Sequence, residues 1–150
     1  MKRLLIIILL IFCSNSFAQD IGDPLKEILT AKSLKFSFEI SSNAEWLKTN
    51  PKTNTIKSSM SFVFDSIDYR EGSARMIGNQ GSVGIAVFKG AQGVSFIEFT
   101  QTGSIITTTV FYEYSNPDRK LFKAVHSRHT SIAGAFPSQY YGDAEIWSMD

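Results

Sequence analysis

From Leu34 the chain alternates. Leu34, Phe36, Phe38 and Ile40 are apolar, and Lys35, Ser37, Glu39 and Ser41 are polar. A period of two sends the apolar set to one face of a strand and the polar set to the other. The rhythm returns at Met60, Phe62 and Phe64, and at Val83, Ile85 and Val87. It returns again over residues 94–100, 104–114 and 121–130, with shorter pieces at 75–78 and 144–148. Turn signals stand between the runs: Asn50-Pro51, Glu71-Gly72, Asn79-Gln80-Gly81, Gly90 to Gly93, Thr102-Gly103 and Ser115-Asn116-Pro117-Asp118. Gly134 and Pro137 break the pattern near the end, and the polar stretch 43–54 reads as a connection held by Trp46-Leu47.

Short β-rich runs at this spacing predict an all-β domain. Tight connectors join antiparallel neighbours and cannot join parallel ones. The expected architecture is therefore an antiparallel meander of seven or eight strands forming a small barrel, with a sandwich as the alternative. Closing a barrel removes exposed strand edges. One segment departs from the period of two. Asp23 is a good N-cap, Pro24 suits the first helical position, and Leu25, Ile28 and Leu29 make one stripe. This predicts a short N-terminal helix over residues 24–32.

The head of the chain has a different character. Lys2 and Arg3 precede the uncharged apolar run from Leu4 to Phe12, and Ser16-Phe17-Ala18 puts small residues where a leader is cut. This is the layout of a secretory signal peptide over residues 1–18, followed by one domain over 19–150. The apolar run is about half of the roughly 20 residues a membrane-crossing helix needs. Bulky Phe12 before Cys13 argues against a lipidated cysteine. Cys13 is the chain's one cysteine, so its loss with the leader leaves a thiol-free product, as suits an oxidising compartment. Removing Lys2 and Arg3 takes the fifteen basic residues to thirteen against fourteen acidic ones. With no basic excess, nucleic acid is a poor partner. The expected destination is a periplasm or the outside of the cell, with no stable membrane span after cleavage.

The densest polar chemistry lies in residues 119–129, which hold four Lys or Arg, both histidines and no acid. On a strand, Phe122, Ala124, His126 and Arg128 share one face, and Lys123, Val125, Ser127 and His129 share the other. His126 and His129 thus point apart, and their cationic neighbours disfavour a metal ion, so no metal or other cofactor is expected. Ser127 cannot use His126 as a base for the same reason, and no G-x-S-x-G elbow is present. The glycine-rich stretch 78–84 is followed by no helix pattern and reads as hairpin turns, not a phosphate cradle. Thr107, Thr108 and Thr109 read as structural β-formers. Catalysis is undecided and disfavoured.

Binding fits the residues better. Arg128 with His126 on one strand face suits a carboxylate or phosphate. Tyr140 and Tyr141, which follow in the chain, offer stacking surface for a sugar or an aliphatic chain. The ten phenylalanines left after Phe12 and Phe17 are removed would either fill a small barrel or line an apolar pocket in it. The expectation is a small exported binding protein for an apolar or amphipathic ligand, held in or at the barrel mouth, with His126, Arg128, Tyr140 and Tyr141 at its polar end. The alternatives are an exported protein-interaction module (an inhibitor or an envelope assembly factor) and an enzyme without a recognisable motif.

Overall fold

The computed structural model describes residues 22–47, 50–78, 81–130 and 135–148. The leader reading at 1–18 with Cys13, the Asn79-Gln80 part of one turn and the break at Gly134 lie outside these residues. Among the described residues one helix, α1 (Pro24–Thr30), precedes eight strands: β1 (Leu34–Leu47), β2 (Asn50–Asp68), β3 (Ser73–Gly78), β4 (Gly81–Lys89), β5 (Gly93–Phe99), β6 (Ile105–Asn116), β7 (Leu121–Thr130) and β8 (Phe136–Ile146). Each strand pairs antiparallel with the next, and β8 returns to β1 with Ala144 opposite Phe36. The meander sheet therefore closes into a barrel, as the alternation and short connectors predict.

An up-and-down order gives the barrel two unlike ends. The β1–β2, β3–β4, β5–β6 and β7–β8 connections share one end, the mouth. The other end carries α1. Asp23 caps this helix: its Oδ1 accepts from the backbone N–H groups of Leu25 at 3.1 Å and Lys26 at 3.3 Å. Ile28 is fully buried beneath the helix. Its side chain ties a seven-residue helix, too short to be stable alone, to the barrel.

Inside, the apolar set of every strand meets. Phe36, Phe38, Phe62, Phe64 and Phe96 pack on one another with ring centroids 4.6 to 6.2 Å apart. Stacked and edge-on arrangements both occur among them, as in Phe64 over Phe96 and Phe36 against Phe96. Burying each such side chain contributes about 2–3 kcal/mol. Leu34, Val94, Val110, Phe122 and Ala144 fill the helix end. The phenylalanines thus fill the middle of the barrel.

Two stretches differ from the pattern-based expectation. Over its described residues, 43–47 and 50–54, the polar run is strand and not loop: β1 and β2 pair there as a long hairpin, with Asn43 opposite Asn54 and Trp46 opposite Pro51. It extends beyond the pairing of β2 with β3, so both of its faces meet water and no alternation marks it. Pro51 is tolerated because β2 has a free edge there. Likewise Pro137 does not end the sheet. It sits within β8 opposite His129, and β8 begins well before the short piece read at 144–148.

A bulge in β1 sets which residues face inward near the mouth. Phe38 lies opposite Gly142, but Ile40 lies opposite Tyr141. The extra residue exchanges the faces, so Ile40 is exposed and Ser41 is buried. Gly142 lets β1 approach this closely. A Cβ there would run into the Ser37 carbonyl oxygen and stand 2.7 Å from Phe38 Cα.

Candidate functional site

The inward face of β7 runs Phe122, Ala124, His126, Arg128 from the helix end toward the mouth. The apolar residues stop where the phenylalanine stack stops, and the two cationic-type residues follow. His126 is 4% exposed. Its ring packs against Phe38, Phe62 and Tyr140, with centroids 5.6, 5.2 and 5.6 Å away. Register explains the convergence: Thr108 on β6 and Tyr140 on β8 are its two cross-strand neighbours.

Thr108 Oγ1 lies 2.8 Å from His126 Nδ1. If the hydroxyl donates, the ring carries its proton on Nε2; if Nδ1–H donates, Nε2 is an acceptor. In either tautomer Nε2 is buried with no partner among the described residues. Burial among aromatic rings, with the Arg128 charge close by, depresses the imidazole pKa to about 4. The ring is therefore neutral near pH 7.

Arg128 stands one step nearer the mouth. Its guanidinium carbon is 5.9 Å from the centre of the Tyr140 ring. Its Nε is buried and unpartnered, although the residue as a whole is only half-buried. No carboxylate among the described residues forms an ion pair with it. Glu98 is the nearest acidic residue by register on the inward set: it lies opposite Ile106, which lies opposite Arg128. Two strand spacings separate them, roughly 10 Å.

The structure thus brings His126, Arg128 and Tyr140 together and leaves Tyr141 outside. Tyr141 is exposed on the outer face, where its hydroxyl donates to Gln139 Oε1 at 2.6 Å and Gln139 Nε2 donates to Ser127 Oγ at 3.2 Å. His129 is exposed on that face too. Among the described residues no three His, Cys, Asp or Glu side chains cluster as a metal site would require. Thr108 is the residue that sequence reasoning missed. Its signal was present: three threonines in a row alternate faces, so the middle one opposes both neighbours.

Grooves on the outer surface carry less chemistry. One of 640 Å³ follows the β1–β2 irregularity, lined by Ser37, Glu39, Ile40, Lys57 and Ser58 among others. One of 240 Å³ lies beside Ser127, His129 and Gln139. Neither contains a buried unpartnered group, whereas the mouth contains two on one strand. Compared with models of known protein families, with characterised proteins and with solved structures, the chain matches none.

Proposed function

We propose that the protein is a small exported binding protein that holds the acidic head of an amphipathic molecule at the barrel mouth. One observation carries this reading: His126 Nε2 and Arg128 Nε are both buried, both unpartnered and both on the inward face of one strand. A buried polar group without a partner costs about 1–3 kcal/mol, and more when it is charged. An arginine N–H is always a donor, and with Thr108 donating to Nδ1 the neutral imidazole offers a second. Residues two apart on a strand lie roughly 7 Å apart at Cα, within the compass of one carboxylate gripped from two sides. Phe38, Phe62 and Tyr140 supply apolar wall for the adjoining chain. The phenylalanine stack below favours a ligand lodged at the mouth over one swallowed whole. Convergence on the inward face of the barrel favours small-ligand binding over a flat protein interface. The leader at residues 1–18 supports export.

The test has two parts. Native mass spectrometry on protein purified from its producer is expected to find a bound mass that is lost on denaturation. A fluorescent long-chain carboxylate such as parinaric acid is expected to bind, and Arg128→Gln to weaken it about tenfold or more, the loss of one charge-assisted hydrogen bond. Unchanged affinity in Arg128→Gln, with the fold intact by circular dichroism, refutes the assignment.

A further inference from the structure

The inward face of the sheet changes character row by row. Residues directly opposite one another on paired strands stand on the same face. One row runs Phe38, Gly142, Ala124, Val110 across β1, β8, β7 and β6, and it is wholly apolar. The next row toward the mouth is Ser41, Tyr140, His126, Thr108, of which all but Tyr140 are buried. The row beyond it is Asn54, Asn43, Ser138, Arg128, on β2, β1, β8 and β7. That row has no apolar side chain and a single charge. Its four members span three strand spacings, roughly 14 Å.

Polar side chains on the outer face of these strands bond to one another, as Tyr141 does to Gln139 and Gln139 to Ser127. Among the described residues the side chains of Asn43, Asn54 and Ser138 make no such bond. Ser104 joins them from the other side of Arg128. It lies just before β6, two residues from the Ile106 that stands opposite Arg128, and it is 3% exposed with its Oγ unpartnered. One row further out along the β1–β2 hairpin Glu45 faces Lys52, and these two charges balance. The neutral row therefore begins at Arg128 and runs across β8 and β1 to β2.

We infer that the acidic head held at the mouth is an acidic sugar, a uronic acid residue, with its carboxylate at Arg128 and His126 and its hydroxyls along Ser138, Asn43 and Asn54. This rests on the reading that Arg128 grips a carboxylate. A bare carboxylate is satisfied by Arg128 and His126 and leaves the rest of the row unused. Asparagine and serine side chains both donate and accept, and so does a sugar hydroxyl. A second acidic group would call for a second cation, and the row has none. A peptide read as an added strand needs pockets for alternate side chains, and a flat row of amides and hydroxyls supplies none. Tyr140, in the row beneath, offers a ring for the apolar side of the sugar.

Four probes separate the parts of such a ligand: octyl glucuronide, octyl glucoside, decanoate and glucuronic acid. The protein purified from its producer is titrated with each by calorimetry, and every variant is first checked for native near-ultraviolet circular dichroism. Octyl glucuronide is expected to bind about tenfold or more tightly than decanoate, the worth of two neutral hydrogen bonds. Octyl glucoside, which lacks the acid, is expected to bind about tenfold or more weakly than octyl glucuronide. Asn43→Ala and Ser138→Ala are each expected to lower the ratio of octyl glucuronide to decanoate affinity about fivefold. Thr55→Ala, on the outer face opposite Ser42, is expected to leave that ratio unchanged. Equal affinity for octyl glucuronide and decanoate overturns the inference, and so does a ratio unmoved by both Asn43→Ala and Ser138→Ala; the carboxylate reading survives either result. If neither acid binds, or Arg128→Gln weakens neither, that reading falls and the sugar falls with it. Glucuronic acid without the chain is expected to bind more weakly than octyl glucuronide, as for the head of a glycolipid. Equal binding of the two would support the row with a free sugar acid as the source.

Discussion

Because His126 is buried and neutral, its position makes the stability of the barrel depend on pH in a calculable way. Its folded pKa of about 4 lies below the ordinary value of 6.5, first because of burial and second because of Arg128. Well above pH 6.5 the ring is neutral in both folded and unfolded chains and contributes no pH dependence. As the pH falls through 6.5, the unfolded chain takes up a proton and the folded chain does not, so folding is disfavoured. The loss grows until about pH 4, where the folded ring also protonates. By about pH 5 the linkage amounts to about 2 kcal/mol, and by about pH 4 to about 3 kcal/mol. Arg128 opposes the proton from the same strand; Thr108 and Tyr140 face the ring from β6 and β8, and Glu98 is the acid on the inward set of β5. The comparison to make is wild type against His126→Gln, whose amide still accepts from Thr108 but does not titrate. Urea unfolding of both proteins between about pH 7.5 and about pH 5 gives two stability curves, and the difference between them removes the common carboxylates and His129. Wild type is expected to lose about 2 kcal/mol more than the variant across that range. Curves parallel to within about 0.5 kcal/mol would mean that the imidazole protonates freely in the fold, and that the burial argument is wrong.

Three further outcomes follow from the packing. Phe96→Ala, at the meeting of Phe36 and Phe64, is expected to cost about 3–5 kcal/mol in urea unfolding, and a cost below about 1 kcal/mol would mean the stack collapses to fill the space. Gly142→Ala forces a Cβ against the β1 backbone and is expected to lower stability by at least about 2 kcal/mol in thermal unfolding; no loss would show that the bulge can yield. Tyr141→Phe removes only an outer hydrogen bond to Gln139, so parinaric acid affinity is expected to stay unchanged and stability to move by less than about 0.5 kcal/mol; weakened binding would bring the outer face into the site.

The period of two was enough to determine an antiparallel barrel, because an apolar face on each strand has to be buried and short connectors allow only neighbouring antiparallel pairing. Asp23-Pro24 determined helix α1 by capping chemistry that acts within four residues. The same local rule placed His126 and Arg128 on one face of β7, since side chains two apart always share a face. What lay beyond reach was everything that depends on a neighbour or on a break in the period. The bulge after Phe38 adds a single residue, leaves little trace in the polar pattern and turns Ile40 outward and Ser41 inward. The long β1–β2 hairpin has water on both faces, so no alternation reports it. Only the register could set Thr108 against His126, strip that ring of water and give it a pKa its sequence neighbours do not foretell. Local alternation chose the strands and their faces; the site and its surroundings came from distant strands meeting in one closed sheet.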